Sequence, residues 1–246
     1  MVGEAASVLS TRRLVALAAL LTTLVAWDAA AGALPALSDD WDVGLTAIVL
    51  IPATFAVVWL LLPLAATRAP GPLALVLGLL ALGAWLVGAG ALFNVAKLCA
   101  LTLAGFWFLS LFEALSWIVL VACVIPWVDV LSVYRGPTKV VVEQKPGLFE
   151  QISIGFRLPG EDSGARLGPP DVLFFALFLA STRRFGLRTG WTWVAMTSAL
   201  ALTLVATYVF DLGGLPALPA IAVGFLVPNL DLLWRAARKR REPAPG

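Results

Sequence analysis

The chain has 246 residues, of which 61% are hydrophobic and only 13% are charged. A soluble domain has about a quarter of its residues charged, so this composition indicates an all-α polytopic membrane protein. The absence of histidine excludes a Ser-His nucleophile pair and a histidine-ligated zinc site. Cys99 and Cys123 lie in apolar runs without a CxxC motif. We expect no metal, no organic cofactor and no nucleic-acid partner.

Long apolar runs with short polar breaks predict about eight transmembrane helices. Arg12 and Arg13 precede the first run, which we interpret as a retained span, with a cleaved signal peptide as the alternative. The first four helices form an N-terminal region, residues 1–112. They are predicted at 13–34, 43–66, 72–91 and 93–111.

Residues 113–246 contain the other predicted spans and the one long polar loop, residues 135–170. The valine run at 139–143 and alternating residues at 151–157 predict two short strands, and therefore a small β-hairpin inside this loop. Residues 235–246 form a strongly basic tail. The four spans of this region are predicted at 114–134, from Asp171 to Ser181, at 190–210 and at 215–234.

The distribution of basic residues predicts the orientation in a cell membrane. With eight spans, Arg68, Arg183, Arg184 and the basic tail fall on the side of the N-terminus. Cytoplasmic loops carry an excess of Lys and Arg, so this side is predicted to be cytoplasmic. The acidic loop at 38–42 and the 135–170 loop then lie outside.

Most charged residues near the predicted spans have a structural interpretation. We expect structural or interfacial roles at the span ends, where water or headgroups reach the side chain. These residues are Asp28, Lys97, Glu113, Asp211 and Asp231.

Two acids are different. Asp129 lies about a turn and a half inside the fifth span, and Asp171 lies where Gly168, Pro169 and Pro170 give way to an apolar helix. The structural interpretation of Asp171 is a helix N-cap. The two spans are consecutive and antiparallel, so the acids are predicted to meet at similar depth. Two carboxylates in a low-dielectric site share one proton, which is the working state of an aspartic protease. A hydrogen-bonded pair that joins two helices and the proton relay of a transporter are the alternatives.

Three short motifs follow one another in the second half of the chain. They are Trp-Val-Asp at 127–129, Gly-Pro-Pro-Asp at 168–171 and Pro-Ala-Leu-Pro at 216–219. Over roughly residues 110–235, the sequence resembles the presenilin and signal peptide peptidase family of intramembrane aspartyl proteases. That family has Tyr-Asp, Gly-x-Gly-Asp and Pro-Ala-Leu motifs in this order. Prepilin peptidases also carry Gly-x-Gly-Asp, but the Pro-Ala-Leu-Pro sequence favours the presenilin family.

The resemblance implies a presenilin-like fold and an endopeptidase that hydrolyses peptide bonds in transmembrane segments or signal peptides. Asp129 and Asp171 would be its catalytic pair, and the bilayer and transmembrane peptides its partners. The chain departs from the family at Val128, which replaces the tyrosine, and at Pro170, which replaces the second glycine. A catalytically inactive membrane scaffold is the alternative. The residues that the resemblance assigns to shaping the active site are Gly168, Pro169, Pro170, Pro216, Ala217, Leu218 and Pro219.

Overall fold

A computed structural model describes residues 9–135, 151–161, 164, 166–212 and 215–239. The described chain is mainly helical, and its helices follow the predicted apolar runs. In chain order they are α1 (Thr11–Ala30), α2 (Asp39–Ala66), α3 (Pro70–Leu86), α4 (Gly90–Leu109), α5 (Leu115–Arg135), α6 (Pro169–Arg184), α7 (Thr189–Val209), α8 (Leu218–Leu226) and α9 (Leu230–Lys239). A π-helical turn at Thr46–Leu50 interrupts α2, and a 3-10 turn at Val227–Asn229 joins α8 to α9.

Six of the described helical segments are long and apolar enough to cross a membrane, as expected for a helical membrane protein. They comprise α1, α2, α4, α5, α7 and the combined segment Leu218–Arg238. Two predicted spans correspond to shorter helices, because α3 has 17 residues and α6 has 16.

Helix α6 forms the centre of the packed helices. Its residues from Phe175 to Thr182 are all buried, which explains why the helix is apolar around its whole circumference. Phe175 stacks on Phe55 of α2 with ring centroids 3.9 Å apart, and Phe178 stacks on Phe225 of α8 at 4.9 Å. Helix α6 therefore contacts α2 and α8 through aromatic side chains.

Two glycines allow helices to approach each other closely. A Cβ atom on Gly105 of α4 would lie 2.5 Å from the carbonyl oxygen of Leu173 in α6. A Cβ atom on Gly224 of α8 would lie 2.5 Å from Cα of Met196 in α7. Small residues at helix crossings are typical of membrane proteins, where close backbone packing drives association.

A polar cluster joins the start of α7 to the end of α8. Asn229 is fully buried, and its Nδ2 donates to Thr192 Oγ1 at 2.8 Å and to the Phe225 carbonyl at 2.8 Å. Its Oδ1 accepts the Arg188 amide at 2.9 Å. The Arg188 guanidinium forms a bidentate pair with Asp231, and this hydrogen bonding raises the pKa of Arg188. Asp231 therefore has the structural role that its position predicted.

The polar loop contains a two-stranded sheet, but its pairing differs from the predicted hairpin. Strand β1 (Ile154–Gly155) pairs antiparallel with β2 (Arg166–Leu167), with Ile154 opposite Leu167. The predicted strand at 151–157 is thus only two residues long, and its partner is a segment that showed no alternation. The other predicted strand, residues 139–143, lies outside the described residues.

We predict that Gly105→Ala lowers stability by about 1–3 kcal/mol, the usual cost of overpacking a close contact. The added methyl group would meet backbone and the Cβ of Ala176, so α4 and α6 must separate. A thermal unfolding measurement in detergent tests this. Gly78→Ala in α3 is the matched control, because a Cβ atom there meets nothing within 4 Å. Equal melting temperatures for the two variants would contradict the close packing of α4 on α6.

Candidate active site

Asp129 is held by the start of a different helix. Its side chain is half-buried on α5, next to the exposed residues Trp127 and Val128. Asp129 Oδ2 accepts a hydrogen bond from the Leu218 amide at 3.0 Å. Leu218 is the first residue of α8, so its amide has no acceptor inside the helix. The carboxylate therefore satisfies a backbone donor that a low-dielectric environment would otherwise leave unpaired.

Asp171 is held by the start of its own helix. Gly168 occupies the N-cap position of α6, and Pro169 and Pro170 occupy its first two helical positions. Asp171 follows as the third helical residue, and its Oδ2 accepts the Gly168 amide at 2.8 Å. The predicted N-cap role of Asp171 is therefore wrong in position, because the cap is Gly168. Asp171 nevertheless lies in the first turn of α6 and satisfies the backbone amide of the cap residue.

The two carboxylates lie in the same region of the protein. Asp171 lies within electrostatic reach of Asp129, and α5, α6 and α8 contact one another. Both residues are half-buried. In each acid, Oδ2 accepts the hydrogen bond from the backbone amide, and Oδ1 does not take part in it. Oδ1 of each acid is therefore available to a water molecule or a peptide group.

The motif residues around the pair differ in exposure. Leu218 is buried, whereas Pro170 is exposed. The remaining motif residues are partly exposed, which are Gly168, Pro169, Pro216, Ala217 and Pro219. A Cβ atom on Gly168 would lie 3.3 Å from Asp171 Oδ2, so glycine at this position leaves room for the carboxylate.

A cavity of about 270 Å³ lies between α2, α7 and the two-stranded sheet, and Ala217 is the motif residue in its lining. The cavity was not predicted from the sequence, because a threonine in an apolar helix can line a cavity or face lipid, and the sequence does not distinguish the two. Several of its threonine hydroxyls bond back to their own helix, for example Thr54 to the Leu50 carbonyl at 2.7 Å. Its lining includes Thr46, Thr54, Arg166, Thr203, Leu215 and Ala217.

Polar residues of α1 and α4 fix the loop that carries β1. Asp28 is buried, and its Oδ1 accepts the Arg157 amide at 3.0 Å, while Trp27 Nε1 donates to the Arg157 carbonyl at 3.0 Å. In α4, Lys97 Nζ donates to the Gln151 carbonyl at 2.8 Å, and Asn94 donates to a carbonyl of β1. The structural roles predicted for Asp28 and Lys97 are thus confirmed, and their task is to hold the loop.

Neither a comparison with protein-family models nor a search of characterised protein sequences finds a match to this chain. Within the ranges that the structure describes, no group of three His, Cys, Asp or Glu residues is arranged to bind a metal ion. The functional groups of the site are the two carboxylates and the motif residues around them.

We predict that Asp171→Ala is less stable than Asp171→Asn by about 0.5–2 kcal/mol, the usual value of a side-chain acceptor at a helix start. Asparagine retains an oxygen that accepts the Gly168 amide, and alanine does not. Thermal unfolding of the two variants in the same detergent measures the difference. If both variants unfold at the same temperature, the bond between Asp171 and Gly168 does not stabilise α6.

Proposed function

We propose that the protein is an intramembrane aspartyl endopeptidase of the presenilin type, with Asp129 and Asp171 as its catalytic pair. One observation carries this proposal. Residues from three motifs that are far apart in the sequence meet at one place, where Asp129 accepts the amide of Leu218 and lies within electrostatic reach of Asp171. The resemblance to the presenilin family implies this combination of an acid pair with the Pro-Ala-Leu segment.

The proposed reaction needs only the two carboxyl groups and a water molecule. The pair shares one proton, so one group is a carboxylate and the other is a carboxylic acid. The carboxylate takes a proton from water as the oxygen attacks the scissile carbonyl carbon, and the acid donates its proton to the carbonyl oxygen. The tetrahedral diol then collapses: the carboxylate takes one hydroxyl proton, the C–N bond breaks, and the carboxylic acid protonates the leaving amine, so the pair again holds one proton. The two backbone amides keep the carboxyl groups in fixed orientations throughout.

The length of α6 supports a position of the pair inside the membrane. A helix of 16 residues is about 24 Å long, which is less than the ~30 Å hydrocarbon core. Arg183 and Arg184 at its other end are exposed and favour the headgroup region. With these arginines at the predicted cytoplasmic surface, Asp171 would lie below the opposite surface. In this proposed arrangement, eight helices cross the membrane in the order of the presenilin fold, and the tail at 235–246 is cytoplasmic.

The surroundings of the pair suit an extended peptide from an unwound transmembrane segment or signal peptide. Strand β2 ends directly before Gly168, so a substrate strand added to this sheet would run past Asp171. The cavity beside the sheet offers an apolar wall with scattered hydroxyl groups for substrate side chains. Pro170 has no backbone donor and is exposed. We therefore expect Pro170 to narrow the range of substrates.

A membrane scaffold without catalytic activity is the second candidate. The observation in its favour is that each carboxylate already has a structural task at a helix start. A proton-coupled transporter receives less support, because it needs a polar path to both membrane surfaces.

We predict that Asp129→Asn and Asp171→Asn each reduce cleavage of a co-reconstituted transmembrane reporter peptide by at least about 10³-fold, because each removes one half of the acid–base pair. Asparagine keeps an acceptor oxygen for the backbone amide, so folding is preserved. Asp211→Asn is the matched control and should cleave at the wild-type rate. Asp211 is exposed and has a positive φ of 48°, which asparagine tolerates well.

Three other outcomes would count against the protease. Cleavage that survives either substitution would exclude the pair as the catalytic centre. Absence of cleavage by the wild type, across several reporter sequences, would favour the scaffold. Proton uptake into vesicles that requires both acids would favour the transporter.

A further inference from the structure

A second cavity lies at the opposite end of α6 from Asp171. Its volume is about 620 Å³, and it is enclosed by the ends of α2, α4 and α6 and by the start of α3. Its lining combines apolar side chains with three cations from separate parts of the chain, and includes Leu62, Arg68, Phe106, Trp107, Arg183 and Arg184.

The three arginines of this cavity have no acidic partner among the residues that the structure describes. No Asp or Glu is among the described residues that line the cavity, and none of the three arginines forms an ion pair elsewhere in the described ranges. Arg184 Nη1 donates to the Leu109 carbonyl at 2.8 Å, which fixes one guanidinium at the cavity wall. The guanidinium groups of Arg68 and Arg183 donate no hydrogen bond to any residue within the same ranges. Three positive charges that face one space create a potential that favours an anion.

The wall of the cavity suits an amphiphile. A Cβ atom on Gly71 would lie 2.7 Å from Trp107 Cδ1, so glycine allows the indole to pack against the start of α3. Trp107 remains 50% exposed, and tryptophan prefers the headgroup level of a bilayer. Leu62 and Phe106 continue the apolar surface beside it. An anion with an attached hydrocarbon chain can therefore contact the arginines and the apolar wall together.

We propose that this cavity binds the phosphate group of an anionic glycerophospholipid. The guanidinium groups of Arg68 and Arg183 would bind the phosphate oxygens, and Arg184 would contribute its charge from its fixed position. The glycerol and the upper acyl chain would lie against Leu62, Phe106 and Trp107. The alternative is that these arginines are solvated and only contribute to the excess of positive charge on cytoplasmic loops. That alternative explains neither why the three arginines line one cavity nor why the cavity has an apolar wall. The proposal does not depend on proteolytic activity.

The test compares lipid binding by the full-length protein and two double variants of equal charge. The purified protein is titrated with dioleoyl phosphatidylglycerol, dioleoyl phosphatidylcholine or inorganic phosphate, and bound lipid is counted by native mass spectrometry. Arg68→Gln/Arg183→Gln removes two arginine contacts to the lipid headgroup. We expect this variant to bind phosphatidylglycerol about thirtyfold more weakly than the wild type. The matched control is Arg235→Gln/Arg238→Gln in α9, which should stay within about twofold of the wild type. Both of its arginines are exposed.

Each result decides the proposal in one direction. Tight binding of phosphatidylglycerol over phosphatidylcholine, lost only in the Arg68/Arg183 variant, supports it. Equal losses in both double variants would mean non-specific charge attraction and would overturn it. Wild-type protein that binds inorganic phosphate as tightly as phosphatidylglycerol would overturn the lipid assignment. If the glutamine variant does not fold, Arg68→Lys/Arg183→Lys retains both charges but loses the planar donor fork, so weaker binding of phosphatidylglycerol is expected, and undiminished binding would overturn the assignment of the phosphate to these guanidinium groups.

Discussion

The hydrogen bond from the Leu218 amide to Asp129 determines how the site is assembled. It joins α5, a helix with a largely exposed apolar surface, to the start of α8. The amide belongs to the first helical residue and has no acceptor within α8, so the bond satisfies both a backbone donor and a carboxylate in an apolar environment. Asp171 does the same for the Gly168 amide at the start of α6. Both acids are thus positioned by backbone groups, whose location depends on helix packing.

Helix α6 connects the two ends of the protein. Its first turn holds Asp171, its last turn carries Arg183 and Arg184, and its middle is buried by α2, α4 and α8. Close contact with Gly105 and stacking with Phe55 and Phe225 fix it against its neighbours. A lipid in the cationic cavity would hold the ends of α2, α4 and α6 together. It would therefore stabilise the helix that presents Asp171, although it would bind at the opposite end.

The helical regions could be predicted from the sequence, because long apolar runs are a strong local signal. The break between α8 and α9 was not predicted, since 215–234 was expected to be one span. The approach of Asp129 to Asp171 follows from consecutive antiparallel helices, and their role as a catalytic pair stays a prediction. The pairing of β1 with β2 was missed, since two-residue strands show no periodicity. The roles of Asn94 and Lys97 as anchors of the loop were also beyond sequence reasoning. They bind backbone groups more than fifty positions away along the chain, and backbone groups carry no sequence signal.

The central claim is that Asp129 and Asp171 act as one pair on one water molecule, and a transition-state analogue tests it most directly. The hydroxyl group of a hydroxyethylene peptide isostere replaces the diol of the tetrahedral intermediate, so tight binding requires both carboxyl groups. The account predicts saturable binding of one analogue per protein, weakened at least about tenfold by Asp129→Asn and by Asp171→Asn. Binding that is unchanged by either substitution, or absent from the wild type, would contradict it.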